Sequence, residues 1–196
     1  MMSKTVDFYY DYGSPTAYLA WTQLPAICAK AGASLNYQPI LLGGVFKGTD
    51  NQSPVMIKPK GKWLLDDVAR YARHYGVPYA MNPHFIVNTM PAMRGAMWAK
   101  STGQIEAYNT AMYTAMWVDQ KDIAQPDVIQ EVLGSAGLDA AAMGDAIQQQ
   151  EIKQALINST SAAVEAGVFG APTMIIGGEL HFGQDRLDWV ERALAA

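Results

Sequence analysis

The sequence predicts an α/β fold in which a small sheet is interrupted by a long helical segment. Three observations lead to this prediction. Residues 4–10 form an apolar run typical of a buried strand, and a helical pattern begins directly after the turn that follows. Strand character returns at only two later places, residues 34–41 and residues 173–182. Between these two places, from about residue 63 to residue 164, one helical pattern follows another.

The first elements form a β-α-β unit. A helix is predicted over residues 15–30, and Gly32 ends it. The strand at residues 34–41 first alternates and then turns apolar. The turn-rich residues 43–54 are predicted to form a loop. Four apolar residues recur at helical spacing on one face of the helix: Leu24, Ile27, Cys28 and Ala31.

Six helices are predicted in the central block, and four of the breaks between them contain glycine or proline. They cover residues 63–75, 89–101, 104–117, 126–135, 139–149 and 151–166. After the block, residues 173–176 and 179–182 are predicted to be strands joined by a Gly177-Gly178 hairpin. A last helix is predicted over residues 185–195.

Without the helical block, the order of elements is that of a thioredoxin-like domain. We therefore predict a thioredoxin-like domain of residues 1–45 and 168–196, with a large all-helical insertion of residues 46–167. A length of 196 residues allows a substantial core for this arrangement.

Composition excludes several classes of function. The net charge of −4 gives no basis for binding nucleic acid or an anionic membrane surface. The single cysteine, Cys28, excludes an intramolecular disulfide and fits a reducing compartment. Residues Met1–Thr5 lead directly into a strand without a signal-peptide pattern, and no apolar stretch is long enough to span a membrane. A cytoplasmic protein is therefore expected.

Ser14 lies where thioredoxin-like enzymes carry the first cysteine of their redox pair. The four places of that motif read Ser14-Pro15-Thr16-Ala17, so a thiol for this site would have to come from a bound cofactor. Serine followed by proline is also a common helix start. A helix N-terminus, however, gathers unpaired N–H groups and a partial positive charge that stabilise a thiolate. The residues alone leave both interpretations open.

Pro172 opens a predicted strand after a glycine-containing turn, a place where a cis peptide occurs. In thioredoxin folds such a loop faces the start of the first helix. The backbone of the preceding residue, here Ala171, can then pair with an extended peptide ligand. An ordinary turn with proline at a strand edge is the alternative interpretation.

Two further segments are candidates for binding charged groups. N–H groups around Gln184 and Asp185, at the start of the last helix, suit a carboxylate, and the Asp185 carboxylate suits an amino group. Asn51 and the lysine run at residues 58–62 suit the backbone and the terminal carboxylate of a tripeptide. A helix cap and a solvated loop are the simpler interpretations of these two segments.

The sequence gives little indication of a metal site or of a nucleophile other than Ser14. The three histidines show no metal-ligand spacing, and no Gly-x-Ser-x-Gly elbow is present. Cys28 is predicted to belong to the core. A Met and aromatic stripe in the central block is predicted to be mainly core, with part of it a candidate lining for an aromatic pocket: Met90, Met93, Met97 and Trp98.

Several sequence blocks, taken in order, resemble the 2-hydroxychromene-2-carboxylate isomerases and the related kappa-class glutathione transferases, both in the DsbA-like thioredoxin group. The resemblance covers nearly the whole chain. The blocks are Asp7-Phe8-Tyr9-Tyr10-Asp11, Ser14-Pro15, Tyr18-Leu19-Ala20, Gly43-Gly44-Val45-Phe46, Asn51-Gln52-Ser53-Pro54, Lys60-Gly61, Asn88-Thr89-Met90-Pro91-Ala92-Met93-Arg94, Val168-Phe169-Gly170-Ala171-Pro172-Thr173 and Phe182-Gly183-Gln184-Asp185-Arg186.

The resemblance implies a DsbA-like fold, glutathione as cofactor and a homodimer. Ser14 would activate the glutathione sulfur, with Pro15 and Thr16 beside it. The remaining implied contacts are made by Asn51 and Lys60 with the tripeptide, by the backbone of Ala171 before Pro172 with the cysteinyl unit, and by Gln184 and Asp185 with the γ-glutamyl end.

The implied reaction interconverts 2-hydroxychromene-2-carboxylate and trans-o-hydroxybenzylidenepyruvate, a step of bacterial naphthalene breakdown. A thiolate adds to a conjugated double bond, the adduct rotates and the thiolate leaves. This sequence departs from the naphthalene-pathway isomerases at two places that bear on the substrate. Thr16 replaces a large aromatic residue, and residues 80–88 lack the arginines of those enzymes. Gln184 stands where asparagine or serine is usual.

Three alternatives to the isomerase stay open. A kappa-like transferase would conjugate glutathione to electrophiles and release the adduct. A redox-inactive thioredoxin-fold protein would bind a peptide at the Ala171-Pro172 loop, with Ser14 only a helix cap. A disulfide oxidoreductase is the least favoured, because Ser14 and Ala17 occupy both cysteine positions.

Overall fold

The sheet at the centre of the protein has four strands in the order β2-β1-β3-β4. The structure, a computed structural model, describes residues 4–196. Strand β1 pairs in parallel with β2 and antiparallel with β3, and β4 pairs antiparallel with β3. The strands are β1 (Thr5–Tyr10), β2 (Ser34–Pro39), β3 (Thr173–Ile176) and β4 (Glu179–Phe182).

The described residues also form nine helices. They are α1 (Pro15–Ala31), α2 (Leu42–Gly48), α3 (Lys58–Tyr75), α4 (Met90–Ser101), α5 (Ile105–Trp117), α6 (Pro126–Ser135), α7 (Ala140–Ala146), α8 (Gln150–Glu165) and α9 (Leu187–Ala195). Two 3-10 turns cover Pro54–Met56 and Gln184–Arg186. The predicted order of strands and helices is therefore confirmed apart from α2, which was not predicted, and seven helices lie between β2 and β3.

Local signals set the ends of these elements where the prediction was accurate. Gly32 ends α1 with a φ of 63°, and its N–H bonds back to the Ala29 carbonyl. Gly177 and Gly178 have φ values of 57° and 89°, the left-handed conformation that the β3–β4 hairpin requires. Glycine adopts a positive φ at little cost, so the helix end and the hairpin could both be predicted from these glycines.

The predicted loop over residues 43–54 is wrong in its first half, because α2 covers Leu42–Gly48. Its glycines serve close helix packing instead of turns. A Cβ at Gly44 would lie 3.0 Å from Thr160 Cγ2, and one at Gly48 would lie 3.1 Å from Val164 Cγ2. The small residues therefore let α2 approach α8.

Helix α3 begins at Lys58, five residues before the predicted start at Trp63. Pro59 lies in its first turn, where proline is favoured, so Lys60 and Lys62 belong to a helix and not to a loop. The strand predicted to reach Leu41 ends at Pro39, and the helix predicted over residues 139–149 is shorter, at Ala140–Ala146.

A buried aromatic cluster joins β1 to the helical block. The hydroxyls of Tyr10 and Tyr12 both donate to Asn109 Oδ1 of α5, at 2.7 and 2.6 Å. The Trp117 indole N–H of α5 donates to the Tyr12 carbonyl at 2.8 Å. Helix α5 therefore fixes the end of β1 directly before the start of α1.

Cys28 lies in the core as predicted, only 3% exposed, and burial raises the pKa of its thiol. The predicted boundary between residues 45 and 46 falls inside α2, and the division into two domains stays a prediction. The absence of a leader, predicted from Met1–Thr5, concerns in part residues 1–3, which lie outside the described range. No helix in the described range is long and apolar enough for a bilayer crossing.

Candidate active site

A cleft of about 480 Å³ lies between the start of α1, the first turns of α3 and the loops at the ends of β3 and β4. Of the nine candidate site residues, eight line it: Ser14, Pro15, Thr16, Asn51, Lys60, Ala171, Gln184 and Asp185. Pro172, the ninth, is the residue after Ala171 and does not itself line the cleft. The fold therefore brings together residues that are separated by more than a hundred positions in the sequence.

Ser14 caps α1 and also reaches across the cleft wall. Its backbone is extended, with a φ of −97°, and its Oγ accepts the Ala17 N–H at 3.1 Å. The same hydroxyl donates to the carbonyl of Ala171 at 2.9 Å. Ser14 is only 4% exposed, so its hydroxyl is largely shielded from solvent. It lies at the N-terminus of a 17-residue helix, where the helix dipole is positive.

The turn that presents Ser14 rests on Asp11, whose supporting role the sequence analysis missed. The buried Asp11 carboxylate accepts the N–H groups of Gly13 at 2.9 Å and Leu42 at 2.8 Å. The Thr89 hydroxyl also bonds to it. Burial raises the pKa of Asp11, and these donors oppose that shift by stabilising the carboxylate. An aspartate directly after a buried strand is a signal that could have indicated this role.

The Ala171–Pro172 peptide is cis, and the loop that contains it faces the start of α1. The Ala171 carbonyl accepts from the hydroxyls of Ser14 and Thr16, at 2.9 and 3.2 Å. On the far side, the Gly183 N–H donates to the Pro172 carbonyl at 3.0 Å. The loop is thus held between α1 and the end of β4, two of the segments that carry candidate binding groups.

Lys60 and Asp185 provide opposite charges on the cleft wall. Lys60 is exposed, and its ammonium has no ion-pair partner among residues 4–196. Asp185 is also exposed and forms a loose ion pair with Arg186, at 3.7 Å. The cleft can therefore offer a cation to a carboxylate and a carboxylate to an amine.

Asn51 closes one side of the cleft through its own side chain. Its Nδ2 donates to the Phe169 carbonyl at 2.9 Å, and its Oδ1 accepts the Gln52 N–H at 2.8 Å. Gln184 is buried, and its backbone carbonyl accepts a hydrogen bond from the Tyr75 hydroxyl at 2.6 Å. Burial raises the pKa of Tyr75 to about 12, so its proton stays in place at neutral pH.

An aromatic wall lines the rest of the cleft, and its members come from separate segments: Phe46, Trp63, Phe85, Phe169 and Phe182. Trp63 is 61% exposed, and the rings of Phe169 and Phe182 lie 4.6 Å apart. The stripe that the sequence suggested as a pocket lining takes no part in this cleft. Met93 and Trp98 belong to the core, and Met90 lines a different cavity between α2, α4 and α8.

The cleft contains few other groups that could take part in catalysis or bind a metal. The only other ionisable side chain on its wall, within the described residues, is Asp67, which pairs with Arg70. The same residues contain no cluster of His, Cys, Asp and Glu side chains that is suited to a metal ion.

Comparisons with known proteins confirm the predicted fold class, a DsbA-like thioredoxin fold with many helices. A family model described as a DSBA-like thioredoxin domain matches residues 5–195. A 2-hydroxychromene-2-carboxylate isomerase from Sphingobium xenophagum is 31% identical over 195 residues, which cover 98% of this chain and 99% of the relative. Human glutathione S-transferase kappa 1 is 26% identical, with 98% and 92% covered. A solved 2-hydroxychromene-2-carboxylate isomerase structure superimposes with a TM-score of 0.89 at 29% identity, covering 97% of this chain and 94% of that one.

Proposed function

Since the chain belongs to the 2-hydroxychromene-2-carboxylate isomerase family of DsbA-like thioredoxin proteins, we propose that it is a glutathione-dependent isomerase. Its substrate would be an aromatic, unsaturated oxo-acid, such as the pair 2-hydroxychromene-2-carboxylate and trans-o-hydroxybenzylidenepyruvate. The observation that carries the proposal is the buried Ser14 hydroxyl, which lies at the N-terminus of α1 and against the cis Ala171-Pro172 loop. The redox-motif position of this fold is thus kept, with a hydroxyl in place of a thiol.

The donor set of the cleft fits glutathione. The tripeptide carries two carboxylates, an amine and a thiol. The unpaired Lys60 ammonium suits the glycyl carboxylate, and the Asp185 carboxylate suits the γ-glutamyl amine. Gln184 would support that same end, Asn51 would help to hold the tripeptide, and the backbone of Ala171 would pair with the cysteinyl unit.

When bound, glutathione supplies a thiolate that adds reversibly to a conjugated double bond, so that rotation can occur before the thiolate leaves. The protein's share is electrostatic. The Ser14 hydroxyl and the unpaired N–H groups in the first turn of α1, beside Pro15, stabilise negative charge on the sulfur and lower the pKa of the thiol. The aromatic wall excludes water and packs against the substrate ring.

A kappa-like transferase is the second candidate, and the charge of the cleft favours it. Lys60 is the only cationic side chain on the wall among the described residues. If Lys60 holds the glycyl carboxylate, a substrate carboxylate finds no second cation there. An uncharged electrophile avoids this cost, and its glutathione adduct would be released instead of collapsing.

Calorimetric titration with reduced glutathione and with S-methylglutathione tests the proposal. We expect clear binding of glutathione and weaker binding when the sulfur is blocked. An assay on unsaturated aromatic oxo-acids should then show isomerisation without consumption of glutathione, whereas stoichiometric loss of glutathione would establish the transferase. No binding at millimolar glutathione would refute both enzymes and favour the peptide-binding alternative.

A homodimer and a cytoplasmic location complete the proposal. The homodimer is carried over from the resemblance to the isomerase family, and the location from the single cysteine and the absence of a targeting pattern in the sequence. Sedimentation of the purified chain at several concentrations tests the dimer, which should persist throughout the working range of the assay.

A further inference from the structure

Three oxygen atoms form a tight cluster at the start of α1. Ser14 Oγ lies 2.9 Å from the Ala171 carbonyl oxygen and 3.0 Å from Thr16 Oγ1. Thr16 Oγ1 itself lies 3.2 Å from the same carbonyl oxygen. Each of the two hydroxyls is therefore within hydrogen-bond distance of the other and of one shared acceptor.

The number of protons in this cluster is fixed. Each hydroxyl has one proton to donate, and the carbonyl has none. Ser14 Oγ already accepts the Ala17 N–H, so its own proton is the only donor it can direct elsewhere. In the present arrangement that proton goes to Ala171, and nothing from Ser14 is left for a ligand in the cleft.

If Ser14 turned its proton toward the cleft, the Ala171 carbonyl would lose its shorter hydrogen bond. Ala171 is only 9% exposed, so water has little access to this carbonyl. An unpaired buried acceptor is costly, and Ser14 would tend to keep its present partner. The 3.2 Å contact from Thr16 provides a second donor for the same carbonyl.

We propose that Thr16 is a positioning residue that holds the Ala171 carbonyl when Ser14 directs its proton to a thiolate in the cleft. This inference rests on the proposed function, since the thiolate is that of glutathione. With glutathione bound, the Thr16 hydroxyl donates to the Ala171 carbonyl, and the Ser14 hydroxyl donates to the sulfur. Thr16 lies in the first turn of α1, on the cleft wall, and is already within hydrogen-bond distance of the Ala171 carbonyl, so the change needs only rotation of the Ser14 hydroxyl.

The experiment measures the pKa of the glutathione thiol bound to the whole protein, from the ultraviolet absorbance of the thiolate against pH. Four proteins are compared: the wild type, Thr16→Val, Thr16→Ser and Ser14→Ala. Valine keeps the branched shape and removes the hydroxyl, whereas serine keeps the hydroxyl. We expect Thr16→Val to raise the pKa of the bound thiol by about one unit, a roughly tenfold loss of thiolate at a pH below both pKa values. Thr16→Ser should stay close to the wild type.

The affinity for S-methylglutathione is the internal control, because this ligand has no thiol to ionise. It should change less than about twofold in Thr16→Val, whereas kcat/KM with glutathione should fall about tenfold. Thr16→Ala, which also lacks the hydroxyl, replaces Thr16→Val if the valine variant does not fold.

The outcomes separate the two proposals. A wild-type pKa of the bound thiol in Thr16→Val overturns the role of Thr16 and leaves the glutathione enzyme intact. Equal shifts in Thr16→Val and Thr16→Ser also overturn it, because the hydroxyl would then not be the active feature. Failure of the wild type to bind glutathione refutes the proposed function itself.

Discussion

Helices α1 and α7 begin with the same local device but in very different surroundings. At α1, Ser14 Oγ accepts the N–H of Ala17 at 3.1 Å. At α7, Asp139 Oδ1 accepts the N–H of Ala142 at 2.9 Å, three residues along in both cases. Each side chain satisfies one of the free N–H groups that open a helix. Within the first turn of each helix, the two capping side chains make the same kind of hydrogen bond.

The two caps differ in what else the side chain contacts. Ser14 is buried and donates a hydrogen bond to the Ala171 carbonyl, 157 positions away in the chain. Asp139 is exposed, and within residues 4–196 its carboxylate bonds only inside its own first turn. An ionised carboxylate also has no proton to donate, whereas a hydroxyl does. The long-range partner, and not the cap itself, therefore marks the start of α1 as a candidate site.

The largest expected effect comes from Ser14→Ala, which removes both functions of this side chain. Loss of a preorganised donor at a developing charge typically costs about 100-fold or more in rate, so kcat/KM with glutathione should fall by at least about 100-fold. The Ala171 carbonyl keeps its hydrogen bond from Thr16, so loss of the cap should cost only about 1 kcal/mol in the free energy of unfolding. Steady-state kinetics and denaturant unfolding of the same preparation measure the two effects separately.

A folded Ser14→Ala variant with wild-type kcat/KM would contradict the difference between the caps. Ser14 would then be a helix cap like Asp139, and the peptide-binding alternative would gain support. Circular dichroism before and after the kinetic assay checks that the variant has kept its helices.

An effect of intermediate size should follow from the charged wall of the same cleft. If the start of α1 holds a sulfur, then Lys60 should hold the glycyl carboxylate of the same ligand. Lys60→Gln should therefore weaken glutathione binding about tenfold, the loss of one charge-assisted hydrogen bond. Titration calorimetry with glutathione measures this change.

Lys62→Gln is a matched control for Lys60→Gln. Lys62 lies two residues further along α3, is exposed and pairs with Asp66 at 2.8 Å, and it does not line the cleft. Its substitution should leave glutathione binding unchanged. Glutathione esterified at the glycyl carboxylate should bind the wild type and Lys60→Gln equally. Equal weakening by both lysine substitutions would indicate a general charge effect in place of a specific contact.

The sequence predicted features whose physical cause is local or whose members form continuous blocks. Strand β1 alternates buried residues along six positions, and Gly32 and the Gly177-Gly178 pair need a left-handed backbone. Ser14 and Pro172 could be assigned to opposite sides of one site, because the order of the strands fixes where both lie.

The features that the sequence did not predict depend on distant contacts. Gly44 is a turn residue by composition but a packing residue by its contact with Thr160, 116 positions later. Asp11 supports Ser14 through the Leu42 N–H, 31 positions away. The aromatic wall takes one side chain at a time from five segments, so no spacing in the sequence reveals it.

The smallest expected effect, from Asp139→Ala, completes the comparison of the two caps. Because the Asp139 side chain stabilises only the first turn of α7, its loss should cost about 1 kcal/mol in the free energy of unfolding, close to the cap term in Ser14→Ala. In a chain of this size the melting temperature should fall by about 2–4 °C. The value of kcat/KM with glutathione should not change, because Asp139 does not line the cleft. A large loss of activity in Asp139→Ala would mean that the site responds to helix stability in general. The long-range hydrogen bond of Ser14 would then no longer distinguish the two caps.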